Sequence, residues 1–287
     1  MTASSPPEPE PDEFLSGETG HVAGIRRTLS RRVGDALLDV RGRAAARSLD
    51  RLVQDTPRRH LLVLSVYRPD SALVALAITE LQRTRHELEL ALGSTGEAQA
   101  GLPTAATHLS GGKFQNLNTL LAAASDGFDW LLVVDDDVGL PHGFLDRLVA
   151  ATEHFDLALA QPAQTLMSHA AWRVTRRRAG SIVRETRFVE IGPVTAFRRD
   201  AADNLTPFPD LSYGWGLDLH WAAIAAESGW RLGVVDALPV RHEREPVASA
   251  YRHADAIAEA QRFLTGKPFM RAEQAQQTLV THRTVAR

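Results

Sequence analysis

The sequence predicts an α/β fold built on a mostly parallel sheet, and three observations lead there. Short apolar runs alternate with amphipathic stretches between Leu61 and Pro162 in the order β-α-β-α-β-α-β, the pattern of strands joined by right-handed helical crossovers. The run Leu131-Leu132-Val133-Val134 is apolar throughout instead of alternating, as a strand covered on both faces must be. It ends at once in Asp135-Asp136-Asp137, and the carboxyl ends of strands are where open α/β sheets bind ligands.

The elements follow from the N-terminus. Residues 1–20 are rich in Pro, Glu, Asp and Ser and are expected to be a disordered acidic tail. Over 21–58, Ile25, Leu29, Val33, Leu37, Val40, Leu49 and Leu52 recur at nearly helical spacing with arginines between them. This basic amphipathic segment is one helix, or two broken near Gly42, and its stripe is expected to pack on the main domain. Peripheral membrane contact or self-association is the alternative. After the boundary at Pro57-Arg58-Arg59, Leu61–Tyr67 reads as the first core strand, Arg68–Ser71 as a turn, and Leu73, Leu76, Ala77 and Leu81 as the inner face of a helix. A second strand, Leu88–Leu92, ends at Gly93-Ser94. Gly111-Gly112-Lys113 opens a helix before the acidic strand, Pro141 opens the next, and Asp156–Pro162 is the following strand.

The second half is less regular. Arg173, Arg176, Arg177, Arg178, Arg184 and Arg187 make residues 163–187 electropositive, which fits either a clamp for phosphates or an acidic acceptor, or a solvated helix face. Arg187–Ile191 and Val194–Phe197 are short strand candidates. Tyr213-Gly214-Trp215-Gly216-Leu217-Asp218 leads into a helix through Trp221, Ile224 and Ala225, and Arg231–Asp236 is a strand that continues to His242. Residues 246–287 form a helical extension with Ile257, Ala260, Phe263 and Leu264 as its packing face. The main domain is therefore expected over 59–245.

Composition narrows the function classes. A net charge of -3 provides no global basic field for nucleic acid. The absence of cysteine excludes disulfides, zinc-thiolate sites and thiol nucleophiles. No apolar run approaches the roughly 20 residues that span a bilayer, and no signal peptide is recognisable, so a cytoplasmic location is expected, at most peripheral at a membrane. Adjacent carboxylates repel unless a cation or shared protons neutralise them, and oxygen donors suit Mg²⁺ or Mn²⁺. The plain alternative is a solvated acidic turn.

Taken together, the βαβαβ start, Asp135-x-Asp137 at the end of a mid-chain strand, Trp215-Gly216-Leu217-Asp218, and Gly233-Val234-Val235-Asp236 followed by His242 resemble a GT-A fold glycosyltransferase of the family 2 type. They are similar in particular to a plant family of glycosyltransferase-like domains of unknown function, over roughly residues 59–245. The resemblance implies a GT-A, Rossmann-like mixed sheet and transfer of a sugar from a nucleotide-diphosphate sugar, UDP-linked by frequency in the fold, to a hydroxyl acceptor, with Mn²⁺ or Mg²⁺ as cofactor. It implies Asp137, Asp135 and His242 as metal ligands, with Asp135 also near the ribose, and Asp218 as the base that takes the acceptor proton. The donor site would comprise Tyr67, Arg68, Ser94, Lys113, Asn116, Asp135, Asp136, Trp215 and Gly216, although an extended strand turns Asp136 to the opposite face. Leu219 stands where galactosyltransferase-like members carry a second acid, and Ser94 stands where an acid often reads the base. Two rivals remain: a nucleotide-sugar-binding scaffold without turnover, and a phosphatase of the haloacid-dehalogenase type using Asp135 as nucleophile. The latter motif normally opens its fold, whereas here two β-α units precede it.

Overall fold

The computed structural model describes residues 7–17, 25–242 and 252–285. A short helix, α1 (Pro11–Phe14), precedes the long α2 (Ile25–Asp55), and the sheet then begins with β1 (His60–Tyr67), α3 (Val74–Leu81), β2 (Glu87–Ser94), β3 (Thr104–Ala106), α4 (Lys113–Ala123) and β4 (Trp130–Val134). After the acidic turn come β5 (Val138–Gly139), α5 (Phe144–His154), β6 (Leu159–Gln164), β7 (Val183–Thr186) and β8 (Val194–Arg198). The chain closes with α6 (Arg199–Leu205), α7 (Leu217–Ser228), β9 (Leu232–His242), α8 (His253–Leu264), α9 (Ala272–Ala275) and β10 (Thr278–His282).

The strands form one mixed sheet in the order β10-β7-β9-β6-β8-β4-β1-β2-β3. Pairing is parallel from β3 through β2 and β1 to β4, and again between β6 and β9. Between these halves β8 lies antiparallel to both β4 and β6, so β4 and β6 are not neighbours. The apolar run of β4 serves two cores at once. Leu131 and Val133 pack with Leu117, Leu217 and Trp221 on one face, while Trp130, Leu132 and Val134 pack with Ile78, Leu148 and Leu49 on the other. This two-sided burial is why the strand does not alternate.

Several expectations are corrected. Residues 7–17 are ordered: Phe14 is buried in the core with Leu264, Met270 and Ala275, Glu13 pairs with Arg271 at 2.6 Å, and Gln261 donates to the Pro9 carbonyl. One aromatic side chain placed against the C-terminal segment anchors an otherwise polar stretch; residues 1–6 and 18–20 lie outside the described residues. Helix α2 is unbroken at Gly42, where the missing side chain admits the Arg177 guanidinium, which donates to Asp39 (2.5 Å) and to the Leu38 carbonyl (3.2 Å). Only its C-terminal half packs as expected, through Leu49 and Leu52; Leu29, Val33, Leu37 and Val40 are exposed.

The helix after the acidic turn starts at Phe144, past Pro141, and Arg187–Ile191 is irregular, the strand lying earlier at Val183–Thr186. The arginine-rich segment is not a solvated helix face, for it holds a strand and buries Arg177 and Arg184. Arg184 is fully buried in a bidentate pair with Asp236 (2.7 and 3.0 Å) and also donates to the carbonyls of Val174 and Arg176. Breaking such a satisfied buried pair from one side costs about 3–5 kcal/mol. The C-terminal extension is not wholly helical, since Thr278–His282 joins the sheet antiparallel to β7. It is also not separate, because Ala260, Phe263 and Leu264 of α8 belong to the main core.

Candidate active site

The acidic turn and His242 are brought together by a two-residue strand pairing. β5 runs antiparallel to the end of β9, with Val138 opposite His242, so the residue before β5, Asp137, lies beside the imidazole. Asp137 Oδ1 is 2.9 Å from His242 Nε2. One ligand atom from each of Asp135, Asp137 and His242 falls within 4.8 Å of the others, which is the expected metal set. On the other side, Lys113 Nζ is 2.6 Å from Asp135 Oδ1. Burial raises the Asp137 carboxyl, but the hydrogen bond and charge of His242, with Arg68 and Lys113 behind it, hold it below the usual carboxylate range. Burial likewise lowers His242, yet Asp137 and Asp135 more than offset this, and its pKa is raised.

Asp136 points away from this group. Its carboxylate accepts from the backbone and guanidinium of Arg68 (2.9 and 2.8 Å), and its carbonyl accepts from Ser71 Oγ. Burial keeps its pKa raised in spite of Arg68. Asp136 and Arg68 thus tie the acidic turn to the end of β1.

Residues 190–193 connect this half of the site to the Asp218 half. Lys113 Nζ donates to the Ile191 carbonyl at 2.8 Å, and the Asp135 amide donates to the Pro193 carbonyl at 2.8 Å. Gly192 is the close-approach point: a Cβ there would sit 2.6 Å from Asp135 Oδ2 and 3.1 Å from Lys113 Nζ. From the same loop the Ile191 amide bonds to the Asp218 carboxylate, which also accepts from the Leu219 amide at 3.0 Å. Asp218 is buried in the first turn of α7. Burial first, and the charge of nearby Glu190 second, push its pKa up to about 8. Glu190 is itself buried, accepts from Gln164 Nε2, donates its amide to Gln161 Oε1 at 2.5 Å, and is pushed by burial up to about 7.

The loop before α7 is shaped by glycine. Gly214 (φ +77) and Gly216 (φ +81) are in the left-handed region on either side of Trp215, and side chains there would run into Phe114 and Leu264. Glu259 of α8 collects the amides of Ser212, Tyr213 and Gly214 at 2.7–3.0 Å. Trp215 is half-buried, edge-on to His253 with ring centroids 5.6 Å apart.

The remaining candidates divide by exposure. Lys113 is the first residue of α4, and Arg68 is exposed at the rim. Tyr67, Ser94 and Asn116 are buried and shape backbone. The Tyr67 hydroxyl meets Thr104 Oγ1 and the Gln99 amide, Ser94 Oγ closes the turn at Gly96 and Glu97, and Asn116 holds both backbone groups of Gly111. Sequence reasoning missed Glu190, Ile191, Gly192 and Glu259. Gly192-Pro193 is a turn signal that marks the loop, but nothing local distinguishes Glu190 or Glu259 from other surface acids.

No protein-family model matches the chain, and no curated protein sequence matches it. Solved structures do. A mannosyltransferase from Pyrobaculum calidifontis, in complex with GDP-Man and Mn²⁺, aligns with a TM-score of 0.51 at 16% identity, covering 83% of this chain and 74% of that one. Residues 1–349 of S. aureus TarS, with UDP-GlcNAc, align with a TM-score of 0.51 at 16% identity over 71% of this chain and 65% of that one. GalNAc-T7 with UDP, GalNAc and Mn²⁺ aligns at 0.51 and 14% over 83% and 57%. The chain has the GT-A fold. The donor set also fits the divalent ion expected from the fold: two carboxylates and an imidazole, gathered within 4.8 Å where Gly192 leaves room for Asp135.

Proposed function

We propose that the chain is a metal-dependent glycosyltransferase that moves a sugar from a nucleotide-diphosphate sugar to a hydroxyl acceptor. One observation carries the proposal: within a GT-A sheet, the Asp135, Asp137 and His242 cluster and the buried Asp218 are tied to one loop, Ile191 bonding Lys113 through its carbonyl and Asp218 through its amide. Neighbours of this fold solved with GDP-Man and UDP-GlcNAc support the donor class, and UDP-sugars are the first to assay.

Asp135, Asp137 and His242 would hold Mn²⁺ or Mg²⁺, which neutralises a leaving diphosphate as a Lewis acid. Lys113, at the amino end of α4, adds a positive charge beside Asp135 where helix amides also favour phosphate. Trp215 and Gly216 border the donor sugar. Asp218, ionised, takes the proton of the acceptor hydroxyl as that oxygen bonds to the anomeric carbon and the bond to the diphosphate breaks. Its raised pKa makes it a stronger base than an ordinary carboxylate, and Glu190 keeps it so. Attack from the side opposite the leaving group inverts the anomeric centre.

The test is incubation with a panel of UDP- and GDP-sugars, with and without Mn²⁺. Slow, metal-dependent donor hydrolysis supports the proposal. Release of phosphate from simple phosphomonoesters instead would assign a phosphatase. The Lys113–Asp135 ion pair favours one other reading, a scaffold in which the lysine permanently occupies the carboxylate; nucleotide binding with no turnover on any acceptor would support that.

A further inference from the structure

The basic N-terminal half of α2 is not absorbed by the site or by the core. Its orientation on the body is fixed by polar anchors. The Asp35 carboxylate accepts from the amides of Leu166 (2.8 Å) and Met167 (3.0 Å), Asp39 takes Arg177, and Asp50 takes Arg147 at 2.7 Å. Each of these acids thus has a partner on the body of the protein. The opposite side carries Leu29, Val33, Leu37 and Val40, which fall on a single stripe and are each between 54% and 63% exposed. Exposed arginines surround the stripe: helical spacing puts Arg32 and Arg43 on one flank, Arg41 on the other, and Arg47 and Arg51 in line beyond Val40.

We infer that this outer face of α2, centred on Leu29, Val33, Leu37 and Val40, is a docking surface for an anionic lipid bilayer. An apolar stripe with an arginine border fits a headgroup layer, where the aliphatic side chains enter the acyl boundary and the guanidinium groups meet lipid phosphates. A second copy of the same helix fits worse. Its stripe would arrive with the same arginine border, while the exposed Asp39 and Asp50 are already paired with Arg177 and Arg147 and Asp55 lies beyond the stripe at the helix end, over an apolar length of only about three turns. The location also suits a membrane-facing enzyme, because the segment that α2 clamps at Leu166 and Met167 continues to Ser168, whose Oγ accepts from the His242 amide at 3.1 Å. The docked helix would lie at the end of the sheet that carries the candidate active site.

The test is co-sedimentation of the full chain with vesicles of phosphatidylcholine alone and with phosphatidylglycerol added, at low and high salt, without donor or metal. Wild type is expected to bind only the anionic vesicles, less at high salt. Val33→Asp with Leu37→Asp should lower binding at least about tenfold, since two aliphatic side chains leave the acyl boundary. Arg32→Gln with Arg43→Gln should weaken binding and flatten its salt dependence, whereas Leu76→Asp, an exposed leucine on α3, should leave it unchanged. All of these positions are exposed, so melting temperatures should stay at the wild-type value; should the aspartate pair lower them, the arginine pair carries the test alone. Wild type that ignores anionic vesicles, or an aspartate variant that binds them as well as wild type while folded, overturns the inference. So does a wild-type dimer that Val33→Asp with Leu37→Asp dissociates, since the stripe would then belong to a second copy. The outcome is independent of whether any sugar is transferred.

Discussion

The acids on the two sides of residues 190–193 are both buried, yet they are held in opposite states. At the β4 turn, Asp137 lies beside His242 with Arg68 and Lys113 behind, and these cations overcome burial so that the carboxylate stays ionised. Across the loop, burial of Asp218 and Glu190 is not offset, the charge of Glu190 adds to the effect on Asp218, and both retain protons to unusually high pH. The first arrangement suits binding a cation and the second suits taking a proton. A difference in neighbours, not in residue type, separates the two tasks.

The largest effect is expected from Asp137→Asn, which removes a carboxylate from the gathered set proposed to hold the metal. Metal-stimulated donor turnover should fall about a thousandfold or more, the equivalent of the several kcal/mol such an ion supplies. Calorimetric titration with Mn²⁺ and donor should show both binding steps lost. Asp218→Asn should separate the two halves cleanly, reducing sugar transfer by about 10²–10⁴-fold while donor affinity remains near wild type. Equal losses in both quantities would mean that Asp218 only supports the fold.

Gly192→Ala comes next. The new Cβ would displace the flexible Asp135 carboxylate and not backbone, so metal affinity should fall while the melting temperature barely moves. Glu190→Gln is subtler. Removing the charge that raises Asp218 should move the rising limb of the pH–rate profile to lower pH; an unshifted limb would show that the two acids do not share a field.

The smallest effect is on stability, and its sign differs between the halves. The folded pKa values of Asp218 (about 8) and Glu190 (about 7) are raised above the ordinary 3.8 and 4.5, so the folded state binds more protons there. Their contribution is full below about pH 4 and is lost as pH rises through 7 and 8. Asp137, with a lowered pKa, contributes above its ordinary value of 3.8 and loses that contribution as pH falls through its folded value. Thermal melts across pH should therefore show Asp218→Asn relatively more stable than wild type on the alkaline side.

The regular half of the molecule was legible because its signals are local. The uninterrupted run of β4, the strands Leu61–Tyr67 and Leu88–Leu92, and the helix opened at Gly112 follow from periodicity and end signals carried within a few residues. The acid triplet could also be divided in advance, since strand alternation alone turns Asp136 away from its neighbours. Thr278–His282 carries a β-branched strand pattern, but that pattern cannot name a partner strand so far back in the chain. Phe14 had too few apolar neighbours in sequence to reveal that it packs on α8 and α9.

The sequence by itself determined the βα alternation, the acidic strand end and the glycine-flanked Trp215, because residue type and short spacing suffice for each, whereas the metal-ligand candidates follow from the family resemblance. Only the tertiary structure decided that His242 pairs with Asp137 through β5, that Ile191 bridges Lys113 and Asp218, and that Arg184 is buried against Asp236. It also decided that half of the stripe on α2 faces outward. Burial, proximity of charge and the resulting protonation states depend on which distant segments meet, and no local pattern encodes those meetings.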